Sequence, residues 1–317
     1  MGDIEDIETA ETAFAGATPD APAGVRSRLP AGTAVGGYVI EEYCGGGGMG
    51  EVYRARDRLL SRDVAIKVVS AAGGGAGRCG VLCSLLVREA RTLAKLSHPS
   101  LVSVFSVGEH ERCVYVAMEY VDGTTLSRWS ARRSWRACLD ALLDAARGLS
   151  AAHSAGVIHR DFKPDNVMVT RDGAVKVMDF GLARSSADVE DAPRIGACAS
   201  CAPEDQVAQI RDPGAVVGTP RYMAPELFEG GAADTRSDQY SFAVSCWEVL
   251  YRALPFRGET PAQLYFSKKG HQPAGATDSD VPAEVERVLR RALLPSASRR
   301  YPSLEDLTER ISRAAES

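Results

Sequence analysis

Residues 237–251, SDQYSFAVSCWEVLY, leave this chain few options. A helix here is apolar nearly all round, has no face to turn to water, and must run through the centre of a larger mass. Helical stripes surround it in the sequence: Leu139, Leu142, Leu143, Ala146 and Leu149 before it, then Val285, Val288, Leu289, Ala292 and Leu293, and last Leu304, Leu307 and Ile311. The N-terminal part has a different texture. YVIEEY, EVYRARD and DVAIKVV read as three short strands, and LVSVFSVGEH and CVYVAMEYV as two more. Between the two sets, LLVREARTLAKL (85–96) places Leu86, Ala90, Leu93 and Leu96 near helical spacing. Gly123-Thr124-Thr125 is expected to open a mostly helical remainder, broken by short strands and loops in VIHRDFKPDNVMV and AVKVMDFG. The fold class is therefore α+β in two lobes meeting near residue 121, and ligands often lie at such a junction.

Composition narrows the function classes. The net charge of −5 over 317 residues gives no basic surface for nucleic acid. Eight scattered Cys in a chain this large fit a reducing compartment rather than a disulfide framework. The acidic start, MGDIEDIETAETAF, has neither the basic nor the apolar region of a secretory signal. No apolar run reaches the roughly 18–20 residues that span a bilayer. A cytoplasmic protein without a membrane segment is expected. Residues 1–36, acidic and then rich in Ala, Pro and Gly, show no sustained period and are expected to be a disordered tail.

Two glycine runs ask for separate explanations. AAGGGAG (71–77) has no fixed spacing and reads as a flexible connection. In YCGGGGMGEVY (43–53), Gly45, Gly47 and Gly50 fit G-x-G-x-x-G between two β-prone segments, with Val52 just beyond. Glycine lets main-chain N–H groups approach phosphate oxygens with no Cβ in the way. A dinucleotide fold would need the run to open a helix, and a P-loop would need Gly-Lys-Ser/Thr; neither is present. Downstream lie VAIK ending at Lys67, HRDFKPDN (159–166), DFG (179–181) and APE (224–226). With these five motifs in order, residues 37–315 resemble the eukaryotic-like protein kinase family. GGMGEVY, HSAGVIHRD and SDQYSFAV are most similar to its bacterial Ser/Thr members.

The resemblance implies a two-lobed kinase fold, with a small antiparallel sheet and one helix in the N-lobe (37–120) and a larger, mainly helical C-lobe (121–317). It implies transfer of the γ-phosphate of ATP, with Mg²⁺, to Ser or Thr of proteins, including the chain itself. Gly45, Gly47, Gly50, Val52, Ala65, Lys67, Glu89, Met118, Glu119, Val121, Asn166 and Asp179 would surround the nucleotide. Lys67 would touch the α- and β-phosphates and pair with Glu89. Asp161 would be the base, Lys163 would steady the γ-phosphate, and Asn166 and Asp179 would hold Mg²⁺. Thr219 would face Asp161, Glu226 would pair with Arg300, and Asp238 would brace the HRD turn. His153 and His159 would be scaffold. A homodimer through the kinase domain is compatible with the resemblance. Two rival readings are a nucleotide-binding pseudokinase and a small-molecule phosphotransferase of similar fold.

The chain departs from the family in its activation segment (179–226), which is long. Residues 213 and 215–217 carry no hydroxyl, so the expectation is activation without phosphorylation close to Gly218. Asp212 or Glu204, or a phosphate on Ser185, Ser186 or Ser200, would take that place. Cys198 and Cys201 form C-x-x-C in the same insert, with no second pair to complete a zinc site. The D-P usual before the late Arg is replaced by LLPSASRRYPS.

Overall fold

A computed structural model of the chain describes residues 28–47, 50–70, 90, 92–110, 113–180, 219–270, 273–275 and 279–316. The upper lobe is an antiparallel sheet of strands β1 (Ala34–Val35), β2 (Tyr38–Gly47), β3 (Gly50–Asp57), β4 (Arg62–Ser70), β5 (Val104–His110) and β6 (Cys113–Glu119), ordered β1-β2-β3-β4-β6-β5. Alternation gives the sheet two faces. On one, Val35, Ile40, Tyr53, Ala55, Val64, Ile66 and Ala117 form a closed apolar cluster. The other face carries Val52 opposite Lys67, and Ala65 opposite Met118.

The expected tail boundary at residue 36 needs correction. Ala34–Val35 turns at Gly36 (φ +57°) and pairs with Tyr38 and Val39, and Val35 is fully buried. A two-residue strand is too short to show a period. Gly123–Thr125 is a second correction. It is strand β7, pairing with β8 (Val167–Thr170), which pairs with β9 (Val175–Val177) in a small second sheet. The helices begin one residue later, with α1 (Leu126–Ser130) and α2 (Trp135–Ser154). Of the expected helix at 85–96, Ala90, Thr92 and Leu93 are helical, while Leu86 and Glu89 lie outside the described residues.

Below β9 follow α3 (Pro225–Phe228), α4 (Thr235–Tyr251), α5 (Pro261–Lys269), α6 (Ala283–Ala292) and α7 (Leu304–Ala315). The Asp234 side chain caps α4 by accepting from the Arg236 and Ser237 N–H groups, and Ser237 returns a bond from the Asp234 N–H. Thirteen residues of α4 are buried, on every side of it, which makes it the axis of the lobe. α2 packs its Leu139, Leu142, Ala146 and Leu149 stripe into the same core. Gly148 makes the close approach possible, since a Cβ there would lie 2.7 Å from the Ser100 carbonyl oxygen.

Candidate active site

A cleft of about 820 Å³ opens between the two sheets. Its roof is the second face of the upper sheet, Gly45, Gly50, Val52, Ala65, Lys67 and Met118, together with the main chain of Gly46. Strand register explains this set, because residues directly opposite one another in adjacent strands share a face. Gly45 sits opposite Val52 and Val52 opposite Lys67, while Ala65 sits opposite Met118. Gly47 pairs with Gly50 where β2 and β3 meet. Glu119, Tyr120 and Val121 form the back where the chain passes between lobes. The Glu119 carboxylate is bound by Lys176 Nζ (2.8 Å) and the Ser103 N–H (3.2 Å), and its own N–H donates to the Ser103 carbonyl (2.9 Å), so its charge is not left for a ligand. The floor includes Met168 from β8 and Asp161, Lys163, Asn166 and Asp179 from the loops beside β8 and β9.

The polar floor is tightly joined. Lys163 Nζ donates to Asp161 Oδ2 at 2.7 Å and to Thr219 Oγ1 at 2.9 Å. The Asn166 amide nitrogen donates to the Asp161 carbonyl (2.8 Å) and to Asp161 Oδ2 (3.3 Å). A single 3-10 turn, Pro164–Asn166, brings Asn166 back toward Asp161. Lys67, only 5% exposed at its side chain, reaches down from β4 and donates to Asp179 Oδ1 at 2.7 Å. That ion pair ties the lobes across the cleft.

The loop's own shape is held from below. Arg160 has φ +67° and Asp179 φ +57°, left-handed conformations that cost a non-glycine residue about 1–2 kcal/mol each. Asp238, buried in α4, offsets this by accepting from the His159 N–H (2.7 Å), the Arg160 N–H (2.8 Å) and His153 Nε2 (2.8 Å). His159 is fully buried and its imidazole packs 4.6 Å from the Phe180 ring. Burial pushes its pKa down, which keeps it neutral, and its Nε2 bonds the Met178 carbonyl at 3.0 Å.

The sequence of this cleft has many relatives. Residues 38–309 match the protein kinase domain model. The chain belongs to the protein kinase family. It is 34% identical over 288 residues to serine/threonine-protein kinase PknB of Mycolicibacterium smegmatis, covering 88% of this chain and 43% of that protein. It is 34% identical to serine/threonine-protein kinase PksC of Streptomyces coelicolor, covering 90% of this chain and 51% of that one. The chain thus spans about half the length of these curated relatives or less. The solved PknI kinase domain of Mycobacterium tuberculosis aligns with a TM-score of 0.66 at 25% identity, covering 91% of this chain and all of that one.

In this family member the donor atoms around Asp161 suit a hard cation. Asn166 commits its amide nitrogen to Asp161, which leaves its oxygen, and Asp179 has one carboxylate oxygen beyond the one Lys67 holds. Among the described residues no three His, Cys, Asp or Glu cluster as a closed metal site. Mg²⁺ needs no such cage, because it takes one or two protein oxygens and completes its shell with phosphate and water. Gly45 suits a phosphate in another way: a Cβ there meets nothing within 4 Å, so the space before it is open.

Outside the polar floor, Glu226 and Arg300 form a two-pronged pair, both contacts 2.7 Å. Glu89, Cys198, Cys201 and residues 181–218 of the activation segment lie outside the described residues, so the Lys67–Glu89 pairing and the readings of that insert stay expectations. Sequence reading passed over Met168, Met178, Thr124 and Arg128, which line the cleft. Only the alternation of β8, with Val167 and Val169 buried and Met168 half-buried, carried a signal for the first of these. No helix among the described residues is long and apolar enough to cross a membrane.

Proposed function

We propose that this domain transfers the γ-phosphoryl group of ATP, with Mg²⁺, to Ser or Thr hydroxyls of proteins, itself included. The observation that carries the proposal is the pair of bonded groups facing one cleft, Asn166–Asp161–Lys163–Thr219 on the floor and Lys67–Asp179 across it, under a glycine-edged, apolar roof. Phosphoryl transfer asks the protein mainly to position groups and to compensate charge. Val52, Ala65, Met118 and Met168 give adenine an apolar slot, and the main chain near Glu119 and Val121 gives it polar partners. Lys67 neutralises α- and β-phosphate oxygens. The Asn166 oxygen and the Asp179 carboxylate would hold Mg²⁺, which would supply charge compensation at the phosphates. The acceptor hydroxyl oxygen forms the new P–O bond as the bond to the departing ADP oxygen breaks. Asp161 takes the hydroxyl proton. Lys163 exchanges its present bonds for a γ-phosphate oxygen.

The Thr219 hydroxyl, held by Lys163, borders the acceptor position. The names of the relatives, serine/threonine-protein kinases, support the same acceptor class. A cytoplasmic location and a homodimer through the kinase domain complete the reading, the second open to sedimentation. The test is transfer from Mg-ATP to a basic protein acceptor, with Asp161→Asn beside the native chain and phosphosites mapped by mass spectrometry. Loss of a general base predicts a fall of about 10²–10⁴-fold with nucleotide binding retained. Nucleotide binding without transfer by the native chain would instead support the pseudokinase reading.

A further inference from the structure

Lys268, near the end of α5, is fully buried. A buried ammonium needs an acceptor for each of its three N–H groups. Here all three go to main-chain carbonyls of one short stretch: Pro220 at 2.9 Å, Arg221 at 2.9 Å and Met223 at 2.6 Å. The carbonyl left over in that stretch, Tyr222, accepts from Ser241 Oγ of α4 at 2.9 Å. Four consecutive carbonyls are therefore anchored by side chains from two different helices. The Phe228 and Tyr240 rings, each 5.4 Å from Nζ, add a favourable face to the cation.

The anchored stretch starts at Thr219, whose hydroxyl bonds Lys163 beside Asp161. Its course thus begins beside Asp161 and follows the C-lobe, with Arg221 exposed and Tyr222 and Met223 buried. A stretch without regular secondary structure keeps such a course only if its carbonyls have partners elsewhere. We infer that Lys268 is a positioning residue for the polypeptide acceptor, fixing the main chain of residues 220–223 as the shelf on which that acceptor lies. This rests on the protein-acceptor reading above. Lys268 touches neither nucleotide nor acceptor; it acts through the four carbonyls' backbone.

The test uses the whole chain and Lys268→Met, with two readouts. In steady-state kinetics, KM for a basic protein acceptor is expected to rise about tenfold, the scale of losing hydrogen bonds from a charged group. KM for Mg-ATP is expected to move less than about twofold, on the same scale. In hydrogen exchange, the amides of 221–224 lose protection while those of central α4 keep theirs. If Lys268→Met does not fold, Lys268→Gln retains two N–H donors and is expected to give a smaller shift in the same direction. Equal changes in both KM values would reduce Lys268 to a general support and overturn the inference. So would unchanged protection at 221–224. A native chain that transfers nothing, yet loses protection at 221–224 on substitution, would overturn the transfer reading while supporting the anchored shelf.

Discussion

Arg300 is 2% exposed, and each of its five N–H bonds has an acceptor. Nε donates to the Leu294 carbonyl, Nη1 to Glu226 Oε1 and the Arg236 carbonyl, and Nη2 to Glu226 Oε2 and the Pro295 carbonyl, all between 2.7 and 3.1 Å. The fork therefore joins α3, α4 and the turn before α7 at one point. RRYPS offers two adjacent arginines for such a role, and the sequence distinguishes them only by resemblance. Packing separates them, since Arg299 is exposed. Breaking a buried ion pair by removing one partner costs about 3–5 kcal/mol. Arg300→Ala should lose that much in urea unfolding. Arg300→Lys should recover less than half, because a point ammonium cannot satisfy five fixed directions. Full recovery by Lys would show that charge alone, not the fork, matters at this position.

At the scale of the element, the β2–β3 hairpin shows that its glycines serve different ends. Gly50 has φ +121°, and a Cβ there would lie 2.4 Å from the Val68 carbonyl oxygen, so it is required by the fold. Gly45 has no neighbour within 4 Å of such a Cβ, so its bareness serves whatever enters the cleft. Gly50→Ala is expected to destabilise the domain by about 1–3 kcal/mol, the cost of a strained backbone position. Gly45→Ala should leave thermal unfolding unchanged and weaken nucleotide binding, measured by a fluorescent ATP analogue. The reverse pattern would assign the two glycines wrongly. G-x-G-x-x-G spacing locates this hairpin but cannot make the distinction, because φ and cross-strand contacts are properties of register. The longer strands were legible in YVIEEY and EVYRARD because one face of each is the more buried, and in CVYVAMEYV because it is a continuous apolar run buried on both faces. β1 and β7 were not, since two or three residues carry no period. Asp161, Asn166 and Asp179 were legible through motif spacing. Lys268 was not, because a lysine near a helix end normally reads as a solvated charge.

For the molecule as a whole, the apolar helix α4 organises function through its few polar residues. Asp238 holds the turn at His159 and Arg160, Ser241 holds the Tyr222 carbonyl, and Gln239 holds the Tyr301 and Ser303 carbonyls before α7. Lys268 completes this framework from α5, and its burial has a thermodynamic signature. Desolvation pulls its pKa from 10.5 to about 7, opposed by the nearby Glu226 carboxylate on α3. That carboxylate is itself shared with Arg300. Tyr240 on α4, pushed well above 10 by burial, stays uncharged. Between pH 7 and 10.5 the unfolded chain therefore carries a proton at this position that the folded chain releases, the neutral amine keeping two N–H donors for the three carbonyls. Stability from this group must rise with pH across that window, by at most about 1.4 kcal/mol per unit, and be lost as pH falls through 7. Other groups titrate equally in the native chain and in Lys268→Met. Chemical unfolding of both at pH 6, 7, 8 and 9 should show a constant difference below 7 that then shifts in favour of the native chain. A difference flat across all four would mean that the three carbonyls keep Lys268 charged throughout, making the shelf insensitive to pH.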